Sequence, residues 1–297
     1  MATPRTGRLS LGPGGYGVEL RLLGTTGLRV SPLGLGTVKF GRNQGVKYPQ
    51  SFELPSDEEA LALLDMAWDL GINLLDTAPA YGQSEERLGR LLRQRRRDWV
   101  IVTKVGEEFR DGVSSFDFSA AATRASIERS LRRLGVEALD TVLIHSNGDD
   151  LALLEQAEVL PALLHLQQAG WIRAVGMSSK TIAGGLRAVE CCDVVMVTYN
   201  LAQRQELPVI RAAHAAGKGV FIKKGLLSGH LDPLASTDPV RTSLELIFAE
   251  PGVSSVVAGT LNPLHLRANV MTAESILQHL NPAKPAGAFP PPLLTAG

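Results

Sequence analysis

Cysteine is scarce: Cys191 and Cys192 are the two in 297 residues, and they are neighbours. Adjacent thiols cannot staple distant segments, so a disulfide framework is excluded, and no metal-ligand spacing accompanies them. A reducing, cytoplasmic setting is the natural reading. Charge of one sign is lacking too. Thirty basic and 30 acidic side chains cancel to a formal net charge of zero, whereas a nucleic-acid binder carries a basic excess. The one basic run, Arg93, Arg95, Arg96 and Arg97, closes an expected helix, where cations suit the dipole. No apolar run reaches the ~18 residues of a membrane span. Nor does an apolar stretch follow Arg5 and Arg8 before Gly12-Pro13-Gly14-Gly15, so no signal peptide is expected.

What the chain does contain is ordinary in composition: 44% hydrophobic and 20% charged residues, as in an average soluble protein. Its length suits one large barrel of ~250 residues or two ordinary domains. Residues 1–19, rich in Gly, Pro and Arg, are expected to be a flexible segment. Residues 281–297 carry Pro282, Pro285, Pro290, Pro291 and Pro292, which bars regular helix or central strand. A single domain is expected over residues 20–280.

Within it, short apolar runs recur about every 30 residues. Leu33–Gly36 is the first, followed by Gly71–Asp76, Trp99–Lys104, Thr141–His145, Ile172–Met177, Val194–Thr198, Gly219–Ile222 and Ser255–Ala258. Such runs suit parallel strands buried on both faces. Amphipathic helices lie between them, as at Glu58–Leu70, Ser119–Leu134, Leu151–Gln168 and Leu207–Ala216. Eight strands alternating with eight helices predict a closed (β/α)8 barrel. A doubly wound dinucleotide fold would want GxGxxG after the first strand, and Gly34, Gly36 and Gly41 do not give that spacing. Ahead of the barrel, Leu20–Val30 reads as a hairpin around Gly24-Thr25-Thr26-Gly27, placed to close the barrel bottom.

Barrel chemistry sits at the C-terminal strand ends. Those ends offer Asp76, with Tyr81 five residues on, then Lys104 and His145. A phenol loses its proton near pH ~10, and a neighbouring ammonium is expected to lower that value. Asp76 can pair with Lys104, and His145 can hydrogen-bond a carbonyl oxygen while Tyr81 donates a proton to it. Singly, each residue has a plainer explanation: a helix cap, a solvated cation, a rim histidine, a packing ring. Their convergence on one face from three successive strands favours chemistry.

The stretch Gly71-Ile72-Asn73-Leu74-Leu75-Asp76-Thr77-Ala78-Pro79-Ala80-Tyr81-Gly82-Gln83-Ser84-Glu85 resembles the first signature of the aldo-keto reductase family. Leu134-Gly135, Leu139-Asp140 and Leu143-Ile144-His145-Ser146 resemble the second, and Lys104 matches the family's lysine strand. The likeness runs from about residue 20 to 275. It implies a catalytic tetrad of Asp76, Tyr81, Lys104 and His145, and a nicotinamide cofactor, NADPH with NADH as the alternative. Cofactor contacts implied by the likeness are Gly36, Thr37, Asp76, Ser178, Ser179, Tyr199, Phe221, Lys223, Lys224, Gly225, Leu226, Gly259, Thr260, Leu261, His265 and Asn269. Ser178 and Ser179 fall where the family holds the carboxamide with a Ser-Asn pair, and Met196 where it usually has Gln. Either Lys223 or Lys224 could reach the pyrophosphate, and the segment from Gly259 to Asn269 matches the family's adenosine-phosphate grip. His265 stands where arginine is frequent, and Arg267 is a substitute cation. The loop between Gly229 and Val240 is short for the family, which implies an open pocket or one completed by another chain. Tyr48 and Phe52, in the long loop from Gly41 to Pro55, are candidate pocket walls. The implied function is reduction of a small-molecule aldehyde or ketone. The alternative is a cofactor-binding regulatory or redox-sensing subunit with little turnover, and a metal-dependent lyase finds too few ligands. No nucleic-acid or membrane partner is indicated, and no feature of the sequence specifies an association state.

Overall fold

The computed structural model describes residues 19–46, 48–93, 98–230 and 237–280. The expected flexible segment, the proline-rich tail and most of the basic run lie outside the described residues.

The chain opens with an antiparallel pair, β1 (Arg21–Leu22) and β2 (Arg29–Val30). Then come β3 (Leu33–Gly36), α1 (Val38–Gly41), α2 (Asp57–Asp69), β4 (Leu74–Asp76), a 3₁₀ turn over Pro79–Tyr81, α3 (Ser84–Leu92) and β5 (Val100–Val105). A second hairpin follows, β6 (Glu107–Arg110) with β7 (Val113–Phe116). The remainder alternates: α4 (Ala120–Leu134), β8 (Leu139–His145), α5 (Asp150–Glu155), α6 (Val159–Gln168), β9 (Ile172–Ser178), α7 (Ile182–Cys191), β10 (Val194–Thr198) and α8 (Leu207–Ala215). Finally come β11 (Gly219–Lys223), α9 (Pro239–Phe248), β12 (Ser255–Ala258) and α10 (Pro263–Leu280). Strands β3, β4, β5, β8, β9, β10, β11 and β12 pair in parallel and close into an eight-stranded barrel, the expected (β/α)8 fold. Among the described residues no helix is long and apolar enough to cross a membrane.

Two cores result. The outer one lies between the strands and the helical shell, where Leu63, Leu64, Ile127, Leu163 and Ile247 press on Leu75, Ile101, Ile144 and Ile222. The inner one fills the barrel with Leu74, Val102, Leu143, Ala174, Val194, Met196 and Phe221. Leu23, Leu28 and Val30 of the first hairpin join that inner core, so the hairpin plugs the bottom as expected. Period-two alternation decides what faces inward: above inner-core Phe221 on β11 stands Lys223, and above Met196 on β10 stands Thr198.

Sequence-coded caps start the helices. Ser56 and Glu59 form a reciprocal capping box on α2, and Ser119 accepts from Ala122 N on α4. The expected helix Leu151–Gln168 is instead two, α5 and α6. Pro161 explains the break: in the first turn of α6 its missing N–H is harmless, but inside a continuous helix it would remove a bond and clash with the preceding turn.

Candidate active site

β4 delivers Asp76 to the barrel mouth, and the 3₁₀ turn after it presents Tyr81. Gly82 ends that turn at φ 62° and ψ −119°, a conformation open to glycine almost alone. A Cβ there would lie 2.2 Å from Gly41 O. Thr37 braces the same turn from the other side, donating from Oγ1 to Asp76 O at 2.9 Å and meeting Ser84 Oγ at 2.8 Å.

Lys104 is almost fully buried. Its Nζ donates to Asp76 Oδ1 at 2.7 Å and Thr77 O at 2.8 Å, and lies 4.6 Å from the centroid of the Tyr81 ring. Tyr81 Oη donates to Asp76 Oδ2 at 3.5 Å. His145 meets Tyr81 edge-on, with centroids 6.3 Å apart. The four residues that close three successive strands therefore do converge on one wall of one cavity.

Electrostatics in this cluster depart from expectation. The phenol of Tyr81 is pushed well above its ordinary value by burial and by Asp76 and Glu107, with Arg42 opposing. Lys104 does not lower it, because its charge is already matched by Asp76. The resting group is thus a neutral phenol, a proton donor.

Sequence reasoning missed Glu107, supplied by the β6–β7 hairpin. Its Oε2 lies 2.8 Å from His145 Nδ1, close enough for ion pairing but out of line for a directed hydrogen bond. Burial raises the Glu107 carboxyl, and the stronger combined effect of His145, Ser114 and Arg42 brings it down to about 2. Burial lowers His145, Glu107 raises it, and Lys104 and Lys223 lower it further. The available signal was Asp111-Gly112, both at positive φ (50° and 81°), the two-residue pair that nucleates tight hairpins. Glu206, N-cap residue of α8, was missed as well; it bonds Ser179 Oγ at 3.2 Å and Thr198 N at 2.7 Å.

The cavity encloses about 1380 Å³, above the ~300–1,000 Å³ of a typical small-ligand site and roomy enough for a dinucleotide. Of the expected cofactor contacts, Gly36, Asp76, Ser178, Ser179, Lys223, Lys224, Leu226, Gly259, Thr260, His265 and Asn269 line it. So do Tyr48, whose ring receives Lys39 Nζ at 4.2 Å, and Met196. The α10 N-terminus opens onto the same space, with Asn262 Oδ1 accepting from Leu264 N at 2.8 Å. A helix N-terminus of this kind suits a phosphate. Gly36 and Gly259 meet across the β3–β12 seam, where a Cβ on Gly259 would stand 3.4 Å from Gly36 O. That seam is a stretch of wall without side chains. These features fit a dinucleotide.

Five expected contacts are off the cavity wall. Thr37 is fully buried as the brace under Asp76. Phe221 lies one layer below the mouth, in the inner core. Tyr199 follows inward-facing Thr198 and so turns outward into the shell. A Cβ on Gly225 would meet Val256 and Ile247, and Leu261 packs on the outer core. Arg267 is exposed and does not line this cavity. Lys223, expected at the pyrophosphate, instead donates from Nζ to Ser178 Oγ at 2.9 Å and Ser179 O at 2.5 Å.

Known proteins are similar to this chain in sequence and fold. A crystal structure from Pseudomonas aeruginosa assigned to the aldo-keto reductases is 58% identical, with a TM-score of 0.79 over 87% of this chain and 95% of that one. The L-galactose dehydrogenase of Arabidopsis thaliana is 37% identical over 54% of this chain and 48% of its own length, about half of the plant protein. The D-threo-aldose 1-dehydrogenase of a Pseudomonas species is 31% identical over 72% of this chain and 70% of its own. The family model "Aldo/keto reductase family" matches residues 32–239, which contain all four residues of the Tyr81 cluster. On fold and sequence together, this chain belongs to the aldo/keto reductase family of oxidoreductases.

Proposed function

We propose that the chain is an NADPH-dependent reductase that converts an aldehyde or ketone to an alcohol, with Tyr81 as the general acid. The observation that carries this reading is a protonated phenol at the barrel mouth, backed by the Lys104–Asp76 pair and faced by His145. When bound, the nicotinamide supplies the hydride that reaches the carbonyl carbon. The protein's own task is at the oxygen. Tyr81 gives its proton there, and Arg42, the cation that opposes the rise of its pKa, bears on the phenolate left behind. His145, with Nδ1 turned to Glu107, has Nε2 free to orient the same oxygen. In the oxidative direction the phenol must first be deprotonated, which its raised pKa makes costly near neutral pH.

The phosphate preference rests on α10. His265 on the cavity wall and the positive helix end favour NADPH, with the cation Lys224 at the end of the neighbouring strand β11; NADH is the alternative.

The test has two parts. Calorimetric titration should show NADPH binding more tightly than NADH. With a carbonyl panel, Tyr81→Phe should lose about 10²–10⁴-fold in kcat, the usual worth of a placed acid, while cofactor affinity stays within about twofold. Near-normal turnover by that variant would remove Tyr81 from its role, and binding of neither nucleotide would remove the cofactor.

A further inference from the structure

Lys223 ends β11 on the inner side of the barrel, in the layer directly above Phe221. The backbone turns away immediately after it, since Lys224 is at φ 55° and its carbonyl is held by Asn200 Nδ2 at 3.0 Å. The side chain of Lys223 therefore points into the mouth, anchored on Ser178 Oγ and Ser179 O. It is close enough to His145 and Lys104 to act on both electrostatically. A hydride donor serving a carbonyl held by Tyr81 and His145 must bring its ring into this same space. The anchor serines are also those expected at the carboxamide, and the neighbouring position on β10 is Met196, which offers no charge and no donor.

We propose that Lys223 sets a positive charge beside the nicotinamide end of the site and so makes the protein hold the reduced dinucleotide more tightly than the oxidised one. This rests on the cofactor reading above. The reduced ring is neutral and the oxidised ring carries one positive charge, so a fixed cation discriminates between them by Coulomb repulsion. At a few ångströms and a protein-like dielectric, such repulsion corresponds to about tenfold or more in affinity. Two carboxylates temper it, Glu206 and Asp150, while Lys104 and Lys224 add to it. The consequence for a catalytic cycle is twofold. The spent cofactor leaves readily, and the equilibrium on the enzyme is drawn towards the reduced nucleotide.

The charge is also switchable. Burial, opposed by Glu206, brings the Lys223 ammonium down to about 8. Below that value the cation is present and discrimination is full. Above it the amine is neutral and discrimination fades. Binding of the oxidised form, which opposes the cation, must release part of a proton near pH 8.

The test is calorimetry with NADP+ and NADPH at about pH 6.5 and about pH 9.5. The ratio of the two dissociation constants should fall about tenfold from the lower to the higher pH, and NADP+ binding near the midpoint should release protons, read from the dependence of the enthalpy on buffer. Lys223→Met should show the small ratio at both pH values, with no proton release. Lys223→Arg keeps charge and reach without titrating, so it should show the large ratio at both, which separates charge from damage to the fold. A ratio independent of pH in the natural protein, or a pH dependence that survives in Lys223→Met, overturns the role of Lys223 while leaving the cofactor reading intact. Binding of neither nucleotide overturns both.

Discussion

Three groups compete for the ammonium of Lys104: Asp76, the carbonyl of Thr77 and the face of the Tyr81 ring. Asp76 holds it most directly, and so the phenol rests protonated. His145 has a parallel arrangement with Glu107. Glu107→Gln removes the one group that raises His145, whose proton is then lost at a still lower pH. The acidic limb of the kcat profile should move to lower pH, and kcat should fall about tenfold as the ring loses its orienting partner; an unmoved limb would show that Glu107 does not set His145. The same carboxyl bears on stability. Its folded value, about 2, is below its ordinary range, so its contribution is present above about pH 4.5 and is lost as pH falls through about 2. Acid unfolding of Glu107→Gln should lack that component. At this scale the site is legible in the sequence where a motif crowds the residues together, as with Asp76 and Tyr81, and at the strand ends Lys104 and His145. Glu107 and Glu206 are not legible, because each acts on a residue far along the chain and carries no local mark of doing so.

The turn between β4 and α3 is the element on which the acid depends. It is held by Gly82 in a conformation barred to other residues and by close approach to Gly41. Gly82→Ala should therefore cost about 2 kcal/mol or more in denaturant unfolding and depress kcat far more than cofactor affinity, since Tyr81 moves with the turn. Equal losses in both would mean that the whole mouth, not the turn, had shifted. Elements with strong periodicity were legible: all eight barrel strands and the plugging hairpin were anticipated. The β6–β7 hairpin was not, because Glu107–Phe116 has little apolar alternation and only its Asp-Gly turn betrays it. The split of α5 from α6 is masked by leucines on both sides of it, Leu151, Leu153 and Leu154 before and Leu160, Leu163, Leu164 and Leu166 after, and Pro161 is its one sign.

Over the whole molecule, stability and chemistry sit at opposite ends of the barrel. Leu23, fully buried, fills the bottom. Leu23→Ala should lower unfolding free energy by about 2–5 kcal/mol yet leave NADPH affinity within about twofold below the melting range; a parallel loss of binding would show the two ends to be coupled. The mouth is less separable. Lys104 and Glu107 are three residues apart, on the same exit from β5, so one loop both continues the lysine strand and carries the partner of His145. For an engineer who wishes to retarget this barrel, that loop is not a free cassette. Exchanging it for a relative's loop to admit a new substrate would also exchange the tuning of the histidine, and a graft that omits an acid at position 107 would change the pH at which the new enzyme works.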